Sequence, residues 1–481
     1  MADMTPEAIR SLFDAQHRAS RAQPDVPVAV RRERLLRLRA LLEEHAPTLA
    51  AAVQADFGMR SPRLTEVADF FLLRAQMAQT LKHLERWCRP QRVATPLYLR
   101  PARAWLQRQP LGVVGIISPW NYPVQLALGP AIGAIAAGNR VLLKPSELTP
   151  HTSAKLADLI AKAFAPEEFC VLQGGPDVAA QVAALPLDHL VFTGATAVGR
   201  KVALAAAANL TPTTLELGGK SPAIIDADCD LRDAALKLAH GKLLNAGQTC
   251  IAPDYLFVPK GSEAAFTDHY RAAVAQLFPY FSGNPDYASI ITPRHFARLR
   301  DLLQEARTMG ATVHEMTAAP GTPMPPQQTL GDGIARQMPP ALVLGATGQM
   351  RLMQEEIFGP LLPVMAYETL DDAVGYINAH PRPLSLYWFG NRTAVRDEVL
   401  ARTVSGGVTV NDTLLHIAHE NLPFGGIGDS GWGAYHGESG FLRFSHAKPV
   451  LVQSRWGAGK MLYPPYGARF DRVMGLIRRL M

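Results

Sequence analysis

Three rhythms of apolar and polar positions divide the chain. From residue 5 to 90 the apolar residues recur at helical spacing. Leu35, Leu38, Leu42 and Leu49 fall on one such face, with arginines and glutamates between them. Val67, Phe70, Phe71, Leu81 and Leu84 form a second. Spacings of three and four bring side chains to one side of a helix. The segment is therefore expected to be all helical, punctuated at Pro24, Pro47 and Pro62, and no candidate chemistry stands out in it. Residues 91–109 change to alternation. Val93, Leu97, Leu99, Ala102, Trp105 and Leu106 interleave with Arg92, Arg100, Arg103 and Arg108, broken by Pro96 and Pro101. That pattern predicts an exposed hairpin or extended arm whose apolar side seeks a partner surface.

From residue 110 short continuous apolar runs alternate with helical periods. Val113–Ile117 is apolar throughout, as in a parallel strand buried on both faces. Further strands are expected at Val141–Leu143, Phe169–Leu172 and Leu190–Phe192, separated by helices at Pro123–Gly138, Thr149–Ala165, Val178–Ala184 and Val198–Ala208. Such alternation implies a doubly wound parallel sheet, with ligands at the carboxyl ends of its strands. A second α/β region is read from near Leu215, with helices at Asp230–Leu244, Glu263–Leu277 and His295–Met309 and strands at Ala341–Leu344 and Val404–Asn411. Thr317–Gly333, rich in proline and glycine, reads as a surface loop, and Gly425–Gly431 as a flexible loop outside the core. The tail Tyr466–Met481 is basic and amphipathic, which suits either docking on the protein itself or lying on a membrane. The chain has no internal repeat.

Polar residues cluster where the strands end. Ser118, Trp120 and Asn121 follow the first strand, and Lys144, Ser146 and Glu147 the second. Thr193, Gly194, Thr196 and Gly199 follow a later one. A lysine beside a glutamate can hold ribose hydroxyls. A Gly-x-Thr-x-x-Gly run opening a helix offers backbone N–H groups to a phosphate. That run is not the usual Gly-x-Gly-x-x-Gly fingerprint, yet together these strand ends favour a dinucleotide.

Two residues carry candidate chemistry further on. Cys250 ends the stretch Asn245-Ala246-Gly247-Gln248-Thr249-Cys250, a polar loop closed by Pro253. A cysteine there is either a reactive thiol or a buried structural one. Glu216 lies inside an apolar strand-like run, where an unpaired carboxylate is costly. It is either salt-bridged, with Lys220 the available cation, or a general base with a raised pKa.

Composition narrows the classes. Of 481 residues 48% are hydrophobic and 19% charged, as in a soluble globular protein with a substantial core. The formal net charge is +6, but arginines are dispersed among glutamates, as in Arg31-Arg32-Glu33-Arg34. Without a basic stripe and interleaved aromatics, no nucleic-acid partner is expected. The four cysteines form no CxxC pair, so neither a metal site nor a disulfide framework is expected. The N-terminus has no signal-peptide pattern, and the apolar run Leu126–Ala137 is too short to span a bilayer. A cytoplasmic protein without a transmembrane segment is the expectation.

The motifs then cease to be independent. Trp120-Asn121-Tyr122-Pro123, Lys144-Pro145-Ser146-Glu147, Phe192-Thr193-Gly194, Leu215-Glu216-Leu217-Gly218-Gly219-Lys220, Gly247-Gln248-Thr249-Cys250, Glu356-Ile357-Phe358-Gly359-Pro360 and Pro423-Phe424-Gly425-Gly426 resemble, in order and spacing, the NAD(P)-dependent aldehyde dehydrogenase superfamily. Asn411–His416 is similar to its class 3 branch, and Tyr463–Phe470 to the bacterial coniferyl aldehyde dehydrogenases within that branch. The resemblance implies a Rossmann-type cofactor-binding domain (residues 1–90 and 110–214), an α/β catalytic domain (215–403), and a β oligomerisation arm with the C-terminal tail (91–109 and 404–481). It implies a homodimer.

It also implies roles. Cys250 is the nucleophile, Asn121 an oxyanion donor and Glu216 the base that activates water. Ser118, Trp120, Lys144, Ser146, Glu147, Thr193, Gly194, Thr196, Gly199, Leu217, Glu356 and Phe358 bind the cofactor. Lys144 and Glu147 take the adenosine ribose, and Glu356 and Phe358 the nicotinamide end. Ala195 departs from the commoner serine of the phosphate turn. The cofactor is expected to be NAD, with NADP allowed. The expected reaction is oxidation of an aldehyde, aromatic and coniferyl aldehyde-like, to its acid. Medium- or long-chain aliphatic aldehydes are the alternative. A CoA-acylating semialdehyde dehydrogenase is a rival that generally lacks the base Glu216. A non-enzymatic relative would be expected to lose Cys250, Asn121 or Glu216.

Overall fold

The computed structural model describes residues 3–318 and 333–480, which form three sheets. Strands β1 (Gln91–Val93) and β2 (Arg103–Pro110) pair as the expected hairpin, and β16 (Ser445–Val452) extends it, in the order β1-β2-β16. A second sheet is built from β3 (Val113–Ile117), β4 (Arg140–Lys144), β5 (Phe169–Val171), β6 (His189–Gly194) and β7 (Thr213–Leu217). These are parallel, and the two-residue β15 (Gly431–Trp432) adds on antiparallel, giving the order β15-β7-β6-β3-β4-β5. The chain winds from β3 out to β5, then returns to β6 on the other side. The carboxyl ends of β3 and β6 thus flank a switch point, where such sheets bind ligands.

The third sheet holds β8 (Pro222–Ile225), β9 (Tyr255–Pro259), β10 (Thr312–Glu315), β11 (Ala341–Leu344), β12 (Leu361–Tyr367), β13 (Ser385–Phe389) and β14 (Gly407–Val410). Its order is β10-β11-β12-β9-β8-β13-β14, parallel except for the β10–β11 pair. Both parallel sheets have near-continuously buried strands because helices cover them. The helix Gln125–Ala137 is apolar all round and buried at every position, which a helix can be only inside a core.

Several expectations change. The helix Val28–Phe57 runs unbroken through Pro47. Burial of Ala46, Leu49 and Ala50 around the proline offsets the missing backbone hydrogen bond. Val67 and Phe71 do not join the apolar face of Phe70, Leu81 and Leu84; they are 61% and 56% exposed. A π-helical turn, Glu66–Phe70, interrupts the helix there and shifts the phase of Val67, whereas Phe71 follows the turn and simply lies about 100° round the helix from Phe70, off the face of Leu81 and Leu84. The second α/β region begins after Leu217 rather than near Leu215, because β7 pairs with β6 in the second sheet. The segment after residue 404 is not all arm. β14 completes the third sheet, β15 edges the second, and only β16 joins the hairpin. The Gly425–Gly431 stretch is therefore not a free loop: Gly431 pairs with Glu216. Of Thr317–Gly333, residues 319–332 lie outside the described residues.

The tail forms the helix Ala468–Leu480, packed on the short turns Ala458–Leu462 and Leu97–Leu99 of the arm. Among the described residues no helix is long and apolar enough to cross a membrane.

Candidate active site

The cysteine loop is held by backbone shape. The helix Leu231–Leu243 ends, and Asn245, Ala246 and Gly247 then take φ of 51°, 53° and 77°. Left-handed backbone at two non-glycine residues is strained and persists only where neighbours enforce it. A Cβ on Gly247 would collide with the backbone of Gly359, so that position admits only glycine. Gln248 is the clamp. Its Nε2 donates to the carbonyls of Asn245 (2.9 Å) and Ser289 (3.1 Å), and its Oε1 accepts from the N–H of Ile291 (2.9 Å). Thr249 and Tyr122 share a hydrogen bond of 2.5 Å between their hydroxyls. Burial, and then the nearby carboxyls of Glu356 and Glu216, push the Cys250 thiol up to about 12.

Asn121 lies against this loop. Its Nδ2 donates to the carbonyl of Gln248 (3.1 Å), and its own carbonyl accepts from Asn245 Nδ2 (3.1 Å). An amide NH₂ carries two hydrogens, so one remains for a further acceptor.

Glu216 sits in β7 opposite Gly431. It is buried, and neither carboxyl oxygen has a hydrogen-bond partner. Burial raises its pKa well above the ordinary carboxylate value. The salt bridge to Lys220, open as a sequence reading, does not form. Lys220 is bound instead to Asp254 and to the carbonyls of Leu352 (2.8 Å) and Glu355 (3.2 Å). Gly425 borders the carboxyl closely; a Cβ there would stand 3.1 Å from Glu216 Oε1.

The strand-end residues converge along the carboxyl edge of the second sheet. Ile117 is in register with both Lys144 and Phe192, and Gly194 with Leu217. Ser118 donates its N–H to the Lys144 carbonyl (3.0 Å), while its buried hydroxyl has no partner. Lys144 is buried and its Nζ meets Glu147 Oε2 at 2.8 Å, leaving Glu147 partly exposed. The Ser146 hydroxyl accepts the N–H of Leu148 (3.2 Å), a turn-forming bond. Thr193 is buried. Thr196 opens the helix Thr196–Ala207, in which Gly199 lies so close to Leu217 that a Cβ there would stand 2.5 Å from that side chain.

Across the cleft, Glu356 presses against Gly218, where a Cβ would collide with its carboxyl. Burial, then Asp254, lift Glu356 to about 8, and its Oε1 has no partner. Phe358, at φ 51°, meets Trp120 edge-on with ring centroids 5.4 Å apart. Thr196, Gly218, Gly219, Lys220, Glu356 and Arg382 line one continuous cavity. Free N–H groups at a helix start, side-chain-free backbone at Gly218 and unpaired buried oxygens at Ser118 and Glu356 fit a dinucleotide.

Three residues near the site escape a reading by pattern. Lys242 is fully buried in the last turn before the cysteine loop, its Nζ without a hydrogen-bond partner. Burial lowers it to about 8 despite Asp254 and Glu356 nearby. Its only signal in sequence is a lysine on a buried helix face. Arg60 and Asp69, both buried, come from the helical lead-in; nothing in the sequence separates this arginine from its many neighbours. Among the described residues no group of His, Cys, Asp and Glu could hold a metal ion.

A thiol and an unpaired carboxylate near a cleft suited to a dinucleotide fit the class of oxidoreductases that work through a covalent cysteine intermediate. The aldehyde dehydrogenase family model matches residues 1–450, and the chain belongs to that family of NAD(P)-dependent enzymes. It is 47% identical over 467 residues to the probable coniferyl aldehyde dehydrogenase of Pseudomonas aeruginosa, covering 97% of this chain and 95% of that one. It is 44% identical over 472 residues to the coniferyl aldehyde dehydrogenase of a Pseudomonas species, covering 98% and 96%. The substrate-bound structure of Staphylococcus aureus AldH superposes with a TM-score of 0.89 at 34% identity, over 98% of this chain and 99% of that one.

Proposed function

We propose that this aldehyde dehydrogenase oxidises aromatic aldehydes of the coniferyl aldehyde type to their acids. The observation that carries the hydrolytic reading is Glu216, buried with both oxygens unpaired beside the Cys250 loop. A CoA-acylating enzyme would have no use for it. The aromatic substrate class is supported by the two relatives whose names carry coniferyl aldehyde.

The residues divide the chemistry as follows. Cys250 Sγ bonds to the aldehyde carbon and gives a thiohemiacetal. Burial disfavours the free thiolate, so the thiol proton passes to water as the S–C bond forms. The second hydrogen of Asn121 Nδ2 and the Cys250 N–H donate to the developing oxyanion. The bound cofactor supplies the hydride acceptor. Glu216 then takes a proton from the water that attacks the thioester carbon. The S–C bond breaks, protonated Glu216 returns its proton to the departing sulfur, and the acid leaves with the thiol restored.

Lys144 and Glu147 bind the adenosine ribose; Gly194, Thr196 and Gly199 bind the phosphates; Glu356 and Phe358 bind the nicotinamide end. Ser118, Trp120, Ser146, Thr193 and Leu217 line the path. Glu147 disfavours a 2′-phosphate, so NAD is preferred over NADP. The sheet containing β3–β7 is assigned to the cofactor, the sheet containing β8–β14 to catalysis, and β1, β2 and β16 to a homodimer arm. All four cysteines are free, which suits the cytoplasm. The test is a panel of aromatic and aliphatic aldehydes with NAD and NADP, following cofactor reduction and acid formation. Preference for aliphatic aldehydes would refute the substrate class.

A further inference from the structure

We propose that the buried Arg60–Asp69 ion pair positions Asn121 against the cysteine loop, so that the helical lead-in supplies part of the catalytic geometry. This rests on the reading of Asn121 as the oxyanion donor.

Arg60 and Asp69 are both 0% exposed. Arg60 Nη2 donates to Asp69 Oδ2 at 2.7 Å. Its Nη1 donates to the Asn121 carbonyl at 2.5 Å and to Asn245 Oδ1 at 3.3 Å. The guanidinium lies over the rings of Phe57 and Tyr122, 4.7 and 5.1 Å from their centroids. Asp69 uses its other oxygen to accept the N–H groups of Val124 (3.2 Å) and Gln125 (3.0 Å).

The pair therefore grips the Asn121 segment at both ends, at the Asn121 carbonyl and at the first N–H groups of the helix Gln125–Ala137. It reaches the cysteine loop through Asn245, whose left-handed backbone begins the turn to Cys250. Taking two charges out of water costs several kcal/mol per ion, so a buried pair is weak evidence of a stability gain. What this pair provides is a planar fork that fixes three partners at once, which a lysine cannot reproduce. Asp69 lies in the π-helical turn Glu66–Phe70, and such turns recur at functional sites.

The test is a double-mutant cycle of Arg60→Lys and Asn121→Ala, read as pre-steady-state NADH formation, with NAD affinity and thermal melting as controls. A small misplacement of a catalytic group can cost up to about a hundredfold in rate. Arg60→Lys is expected to slow NADH formation about tenfold or more, with NAD affinity and fold retained. In the Asn121→Ala background the same change should cost less than about twofold, because its effect passes through Asn121. Equal costs in both backgrounds, or a native rate for Arg60→Lys, would overturn the proposal and leave the oxyanion reading intact. A native rate for Asn121→Ala would overturn the oxyanion reading and the proposal with it. Should Arg60→Lys fail to fold, Asp69→Asn, an isostere that loosens the fork, runs the same cycle with the same criteria.

Discussion

The side-chain amide of Asn121 donates to the backbone carbonyl of Gln248 at 3.1 Å. The proposed oxyanion donor is thereby tied to the loop that carries the proposed nucleophile. Asn121→Ala removes both the tie and the donor. Loss of one such donor typically costs about 10²–10³ in rate. The expected result is a fall of that size in kcat with near-native NAD binding, measured by steady-state turnover and fluorescence titration. A fall below threefold would contradict the role.

Glu216 is expected to act only after acyl transfer to Cys250. Glu216→Gln should give a burst of one NADH per site followed by slow turnover, seen by stopped-flow absorbance. The pH dependence has a definite sign. Burial raises the carboxyl, so the ionised base becomes more abundant as pH rises through that raised value. Deacylation should therefore quicken with rising pH, and this limb should vanish in Glu216→Gln. Cys250→Ala should abolish the burst itself.

How legible these parts were depended on their reach along the chain. The run Val113–Ile117 declares a buried parallel strand because each residue sits in the core on its own account. β15 is only two residues long and gains its identity from pairing with β7, distant in sequence. Glycine content there read as freedom, whereas Gly431 is present because a Cβ would collide with the Leu215 carbonyl. The phase error at Val67 has a local cause, one π turn, that periodicity cannot register. Cys250 and Glu216 stood out by residue type in context. Arg60 did not, because its role exists only once Asn121, Asn245 and Asp69 are brought together.

The outer strand of the arm supports an oligomer. β16 pairs with β2 on one side only and forms the edge of its sheet. Leu451 and Val452 are 51% and 50% exposed there. An open edge with apolar side chains is a template for pairing with a second chain. In the homodimer proposed above, Leu451→Asp combined with Val452→Asp should yield a monomer in light scattering, while leaving the fold intact by circular dichroism. A dimer of unchanged mass would place the contact elsewhere.

Lys242 gives the sharpest test of electrostatics beneath the site. Its ammonium is buried with no hydrogen-bond partner, and its folded value of about 8 lies below the ordinary 10.5. Above about pH 10.5 the amine is neutral whether folded or unfolded, and burial carries no charge penalty. As pH falls from 10.5 to 8 the unfolded chain takes up a proton that the folded one resists, so stability is lost across that window. Below about 8 both states are charged and the penalty is constant, of order 3 kcal/mol from the difference in proton affinity. Lys242→Met keeps the length of the side chain and removes the charge. It should raise the melting temperature at pH 7, with a gain that shrinks towards pH 10. Glu356 loses a neighbouring cation in the same change, so NAD affinity should fall even as stability rises. Scanning calorimetry across pH 7–10, with NAD titration at pH 7.5, checks both. A melting temperature that drops at pH 7 would mean that Lys242 is paired in solution rather than a buried charge tolerated beneath the cysteine loop.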